Sequence, residues 1–240
     1  MQGGGEKPFV LVICDISGYT SFVSHHAEVK NHGFVIVGQL LSAMMRAAEP
    51  VLKVSKLEGD AVFLYAPLTG DGAKLRDHMS AALGRCDVVY HAFERRLKEL
   101  REANICACEA CLGLERLQLK IVVHSGPVLL QKIGRYHEVV GADVIRVHRL
   151  LKNQVPLREY LLLTETVCRC LDGDTPAVRY AGEETDPDLG PCRVEAYALP
   201  WKTSSEAPSG SYRSLRYQAA DIMKKIFIGR LFQLGLLRRS

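Results

Sequence analysis

Phe9-Val-Leu-Val-Ile-Cys-Asp15-Ile-Ser-Gly-Tyr-Thr20 is the stretch that decides the fold. Phe9 to Cys14 is an unbroken apolar run rich in β-favouring residues, which reads as a strand buried on both faces. Asp15 ends the run, and Ser17, Gly18 and Thr20 supply turn and cap chemistry for a following helix. That helix is expected over about 21–48, with Phe34, Val37, Leu40, Leu41 and Met44 at helical spacing, and Pro50 stops it.

Outward from this start, 51–56 alternates in strand fashion, Gly59-Asp60 makes a tight turn, and 61–66 returns as a second strand. A helix is expected over 77–103, turning Val88, Val89, Ala92, Phe93, Leu97 and Leu100 inward. The pattern then gives a strand over 117–124, a turn at Gly126-Pro127 and a partner strand over 128–133. A loop over 134–141 leads to a helix over 142–153, a short strand over 160–163, a helix capped by Thr164 and a closing strand over 193–199. Strand, helix, hairpin, helix, strand is the ferredoxin-like βαββαβ order, so the fold class is α+β with appended elements.

The bulk numbers agree with a globular chain: 240 residues, 48% hydrophobic and 24% charged. A net charge of +4, with the basic residues scattered outside the tail, gives no aromatic-plus-basic platform, so nucleic-acid binding is not expected. Eight cysteines follow no secretory signal, which favours free thiols in a reducing cytoplasm. No run of about 18 apolar residues marks a membrane span. The chain divides into a domain over 1–201 with an inserted loop at 103–115, a Ser-rich linker over 202–211 and a tail over 212–240.

Two acids carry the chemistry. Asp15 follows the first strand and Asp60 lies in the hairpin turn; if strand and hairpin share a sheet, the carboxylates converge at its end. Such a pair suits a hard divalent cation shared with substrate phosphates, although each Asp could equally do no more than cap a turn.

Spacing shifts that balance. Asp15-Ile-Ser-Gly-Tyr-Thr20 resembles the first metal-binding signature of class III nucleotidyl cyclases, and Lys56-Leu-Glu-Gly-Asp60 resembles the family's Lys-x-x-Gly-Asp hairpin. His124-Ser-Gly126 is similar to its His-x-Gly turn, and Gly141 with Arg149 eight residues on is similar to its Gly-x-x-x-Asn-x-x-x-Arg helix start. The resemblance covers about residues 9–199, with each motif on the element expected for it.

It implies attack of a ribose 3′-hydroxyl on the α-phosphorus of a nucleoside triphosphate. Asp15 and Asp60 would hold two Mg²⁺ or Mn²⁺ ions, Lys56 and Glu138 would contact the base (ATP by that pairing), and Arg149 would stabilise the phosphoryl charge. It implies too a head-to-tail homodimer in which Arg149 of one copy meets the metal ligands of the other. Three positions depart from the family. Ile145 replaces the ribose-positioning Asn, Glu138 stands where adenylyl cyclases carry Asp, and Leu189-Gly190 replaces a Lys-Gly that holds the terminal phosphates. Arg146 and Arg193 are the nearest substitutes. Two readings therefore remain: a working cyclase, or a degenerate cyclase-like domain acting as a nucleotide sensor or membrane-recruited scaffold.

Other candidates are weaker. Cys106, Cys108 and Cys111 offer three soft ligands without a fourth, and free thiols are the simpler reading. Cys168, Cys170 and Cys192 read as small buried residues. His25 and His26 point apart on a helix, His137 reads as a surface residue, and His148 packs near Arg149. In the tail, Ile222, Met223, Ile226, Phe227, Leu231, Phe232 and Leu234 form an apolar stripe among Arg213, Arg216, Lys224, Lys225, Arg230, Arg238 and Arg239. A basic amphipathic helix of that kind docks on its own domain, on a partner protein or on an anionic membrane.

Overall fold

The computed structural model describes residues 5–18, 30–103, 109–134, 136–171 and 175–201. His25, His26, Cys106, Cys108, the linker and the tail lie outside the described residues.

The first strand, β1 (Lys7–Ser17), outruns its apolar core at both ends. Asp15 therefore does not end the strand. Pairing carries it on, with Asp15 opposite both Ala61 and Lys120, and Ser17 opposite Gln118. After β1 come α1 (Lys30–Ala48), the hairpin β2 (Lys53–Glu58) and β3 (Ala61–Pro67), and α2 (Gly72–Glu102). The short α3 (Glu109–Leu112) precedes β4 (Gln118–Ile133), which is followed by β5 (Tyr136–Val140) and α4 (Ala142–Arg149). The chain closes with β6 (Tyr160–Thr164), α5 (Glu165–Cys168), β7 (Val178–Asp186) and β8 (Gly190–Tyr197).

The strands form one sheet in the order β2-β3-β1-β4-β6-β8-β7, with β5 paired to β4. The first four are the ferredoxin-like set. Val10, Val12, Cys14 and Ile16 face α1 and α2, whereas Phe9, Leu11 and Ile13 face α4 with Phe63, Val122 and Val147. Each fully buried side chain of this size is worth roughly 1.5–3 kcal/mol over exposure. A one-residue slip of β1 would exchange both sets, so its register is strongly held. By the same alternation Asp15 follows Ile13 onto the α4 face.

Two expectations fail here. No turn occurs at Gly126-Pro127; β4 runs through it because β1 still pairs there, Gly126 with Phe9 and Lys7 with Val128. The reversal comes later, at Gly134 with φ +60°, and β5 rather than a loop follows. The edge strand β7 was not anticipated, since its mostly polar sequence, exposed or half-buried throughout, lacks an apolar stripe. Among the described residues no helix is long and apolar enough to cross a membrane.

Candidate active site

The backbone N–H of Ile16 donates to the Asp60 carbonyl at 3.2 Å, docking the hairpin turn against the end of β1. Gly59, at φ +66°, gives that turn its left-handed residue. Asp15 and Asp60 are thereby brought together as expected. Burial, reinforced by Asp60, pushes the Asp15 carboxyl up to about 6, against the pull of Lys120. Burial raises Asp60 as well, against its own backbone N–H and again Lys120. Among the described residues Lys120 is the cation acting on both half-buried carboxylates, which leaves them short of positive charge.

Lys120 was missed by sequence reasoning. It sits in register between Asp15 on β1 and Tyr160 on β6, on the same sheet face. Its signal was a lone charge inside the apolar run Leu119-Lys120-Ile121-Val122-Val123.

Glu58 was missed too. Lys56 donates to Glu58 Oε1 at 3.1 Å and lies 6.0 Å from the Phe63 ring centroid. The same oxygen meets His148 Nε2 at 3.0 Å, while His148 Nδ1–H donates to the Val144 carbonyl at 2.7 Å. His148 also stacks edge-on against Phe63, so it packs, as expected, and in addition ties α4 to β2. Glu138, half-buried on β5 opposite Gln131, shows no ion pair with Lys56; the described partner of Lys56 is Glu58.

Arg149 ends α4 and is already engaged. It donates to Asp186 and, at 2.9 Å, to Asp188 on the β7–β8 turn. Those hydrogen bonds drive the guanidinium further up and hold Asp186 down to about 2. Arg146, expected to substitute for the missing Asn, instead donates to the Leu189 carbonyl at 2.5 Å and the Gly190 carbonyl at 3.4 Å. Ile145 is 49% exposed on the same helix. Arg193 cannot replace the lost phosphate lysine: on β8, Cys192, Val194 and Ala196 take the α4 face, which turns Arg193 to the opposite side. Cys192 is buried as expected, while Cys111, Cys168 and Cys170 are half-buried.

Among the described residues no group of three or more His, Cys, Asp or Glu side chains is arranged to hold a metal ion. The donor set at Asp15 and Asp60 is two hard oxygen groups with a charge deficit. That fits Mg²⁺ or Mn²⁺ completed by water and phosphate oxygens.

A family model described as a protein of unknown function, DUF2652, matches residues 37–160. The chain belongs to this family. An uncharacterized protein of Mycobacterium tuberculosis, Rv2561/Rv2562, is 38% identical over 136 residues, 57% of this chain and 60% of that protein. The chain thus spans less than two thirds of its curated relative. Among solved structures, the adenylyl cyclase CyaB of P. aeruginosa aligns at TM-score 0.60 and 14% identity, over 82% of this chain and 95% of that one. The guanylyl cyclase Cya2 aligns at TM-score 0.60 and 16% identity, over 84% and 98%. A class III adenylyl cyclase-like ATP-binding protein from Pseudomonas aeruginosa aligns at TM-score 0.55 and 15% identity, over 70% of this chain and 35% of that one. This DUF2652 member has the fold of a class III cyclase catalytic domain, in a divergent sequence.

Proposed function

We propose that the chain is a divalent-metal-dependent nucleotidyl cyclase that turns a nucleoside triphosphate, ATP first, into a 3′,5′-cyclic monophosphate and pyrophosphate. The observation that carries this is the convergence of Asp15 and Asp60 beside Lys120 on one sheet face. In the reaction the ribose 3′-oxygen bonds to the α-phosphorus, the bond to the bridging oxygen breaks, pyrophosphate leaves and the hydroxyl proton passes to solvent.

Asp15 and Asp60 would hold the ions, which when bound supply Lewis-acid charge at the hydroxyl and the leaving group. Lys120 meets the phosphates from the sheet. Lys56 and Glu138 read the base, which requires Lys56 to release Glu58. Arg149 of a second copy, in a head-to-tail dimer, meets the α-phosphoryl oxygens after leaving Asp186 and Asp188. The exposed Leu57 and Ile145, at 52% and 49%, flank this region and suit the dimer contact. Ile145 offers the ribose no hydrogen bond, so turnover should fall about 10²–10³-fold below a site with Asn.

That last loss, with both arginines engaged inside the chain, favours a second reading: a nucleotide sensor with little turnover. In either case the basic tail over 212–240 is assigned to docking on the domain, a partner or an anionic membrane.

The experiment is product formation from the four nucleoside triphosphates with Mn²⁺, alongside nucleotide binding, for the intact chain and Asp60→Ala. Product from one nucleotide that vanishes in the variant supports the cyclase. Nucleotide binding without product moves the assignment to the sensor, and neither binding nor product overturns both.

A further inference from the structure

Under the site lies a buried polar chain that the proposed reaction does not use. His124, 2% exposed on β4, places Nδ1 2.9 Å from Thr164 Oγ1 and Nε2 2.7 Å from Asp143 Oδ1. Thr164 Oγ1 lies 3.0 Å from Thr166 Oγ1, and Thr166 donates to the Ser125 carbonyl at 2.9 Å.

Counting hydrogens fixes the directions. A hydroxyl has one proton to give. Thr166 spends its proton on Ser125, so Thr164 must donate to Thr166. Thr164 can then only accept from His124, which requires a proton on Nδ1. Nε2 and Asp143 Oδ1 share one further proton across 2.7 Å, in a largely buried setting.

Asp143 stands in the first turn of α4. Gly126 makes its approach possible: a Cβ there would lie 2.3 Å from Asp143 Cγ. The pair therefore bolts the N-terminal turn of an eight-residue helix to β4, and that helix ends in Arg149. Burying these polar groups costs desolvation, whereas their directional bonds fix where the helix starts.

We infer that His124 is a positioning residue, which sets α4 through Asp143 and so places Arg149 for the phosphoryl group. This rests on the cyclase reading for its effect on rate, but not for its hydrogen-bond directions.

Two variants separate the contacts. In His124→Gln the amide nitrogen can reach the Nε2 position and keep the bond to Asp143, while His124→Asn reaches only towards Thr164. Gly126→Ala displaces Asp143 without touching His124.

With the full chain and Mn²⁺–ATP, His124→Asn and Gly126→Ala are each expected to lower kcat about 10²-fold. KM should stay within about twofold, and His124→Gln should recover most of the rate. Independently of any activity, ¹⁵N-histidine NMR should show a signal with a protonated Nδ1 that disappears in His124→Gln. Equal kcat in His124→Asn and wild type, or no rescue by Gln over Asn, overturns the positioning role. A His124 signal with Nδ1 unprotonated overturns the hydrogen-bond directions. If wild type forms no product, the cyclase reading fails separately, and amide hydrogen exchange decides. Faster exchange confined to 142–149 in His124→Asn, restored in His124→Gln, then supports the bolt, and unchanged or uniform exchange overturns it.

Discussion

The two ends of the candidate site are opposites in charge. At the β1–hairpin end, Lys120 is the cation that acts on Asp15 and Asp60 among the described residues, and both carboxyls are raised by burial. At the α4–turn end, Arg149 holds two carboxylates, and Arg146 holds the Leu189 and Gly190 carbonyls. The first end is short of positive charge and suits an incoming cation. The second is satisfied inside the chain and must give up contacts before it can serve a substrate. On one fold, then, the carboxylate end is left open to a cation while Arg149 and Arg146 are tied up within the chain.

The largest effect should come from the open end. Asp60→Ala is expected to remove product formation by at least about 10³-fold, read as cyclic nucleotide made with Mn²⁺. Residual product at wild-type level would place the metal elsewhere.

The closed end should respond by gain. Ile145→Asn restores a ribose hydrogen bond and should raise kcat about 10-fold or more, part of what such a donor is worth. The paired change Asp186→Asn with Asp188→Asn frees Arg149 and should raise kcat by a smaller factor, about three- to tenfold at low salt. Any fall in rate instead would show that the β7–β8 turn positions Arg149 rather than withholding it.

The smallest effect is on stability. In the folded, metal-free chain Asp15 keeps a proton between its ordinary value of 3.8 and about 6, which the unfolded chain has already lost. Stability from this group therefore falls as pH rises through that window and is flat above it. Asp15→Asn should stabilise the metal-free protein at pH 7.5 by about 1–2 kcal/mol, with no gain near pH 3.5, measured by urea unfolding. Equal gains at both pH values would show that the carboxyl is not strained.

Much of this was legible in the sequence because β1 is unambiguous. Its apolar run fixes a central strand, and the Lys-x-x-Gly-Asp hairpin carries Asp60 to its end. Asp60 and Arg149 sit on the elements expected for them, whereas Asp15, expected just past the first strand, lies within β1. Lys120 was overlooked because a single Lys in a strand looks like solvent exposure until its neighbours show which face it shares. Glu58 was passed over inside a motif read only for its Lys and Asp. β7 escaped because an edge strand needs no apolar stripe, and with it went the turn that occupies Arg149. The break set at Gly126-Pro127 came from turn chemistry, overridden by continued pairing with β1. Glu138 falls on β5 rather than in the expected loop, and contact with Lys56 requires a rearrangement at Glu58.

The most direct test is Mn²⁺ binding followed by electron paramagnetic resonance in the presence of ATP, for wild type and Asp60→Ala. The carboxylate site requires Mn²⁺ held by the wild-type chain with ATP and at least about tenfold weaker binding in the variant. Undiminished binding in Asp60→Ala would contradict it.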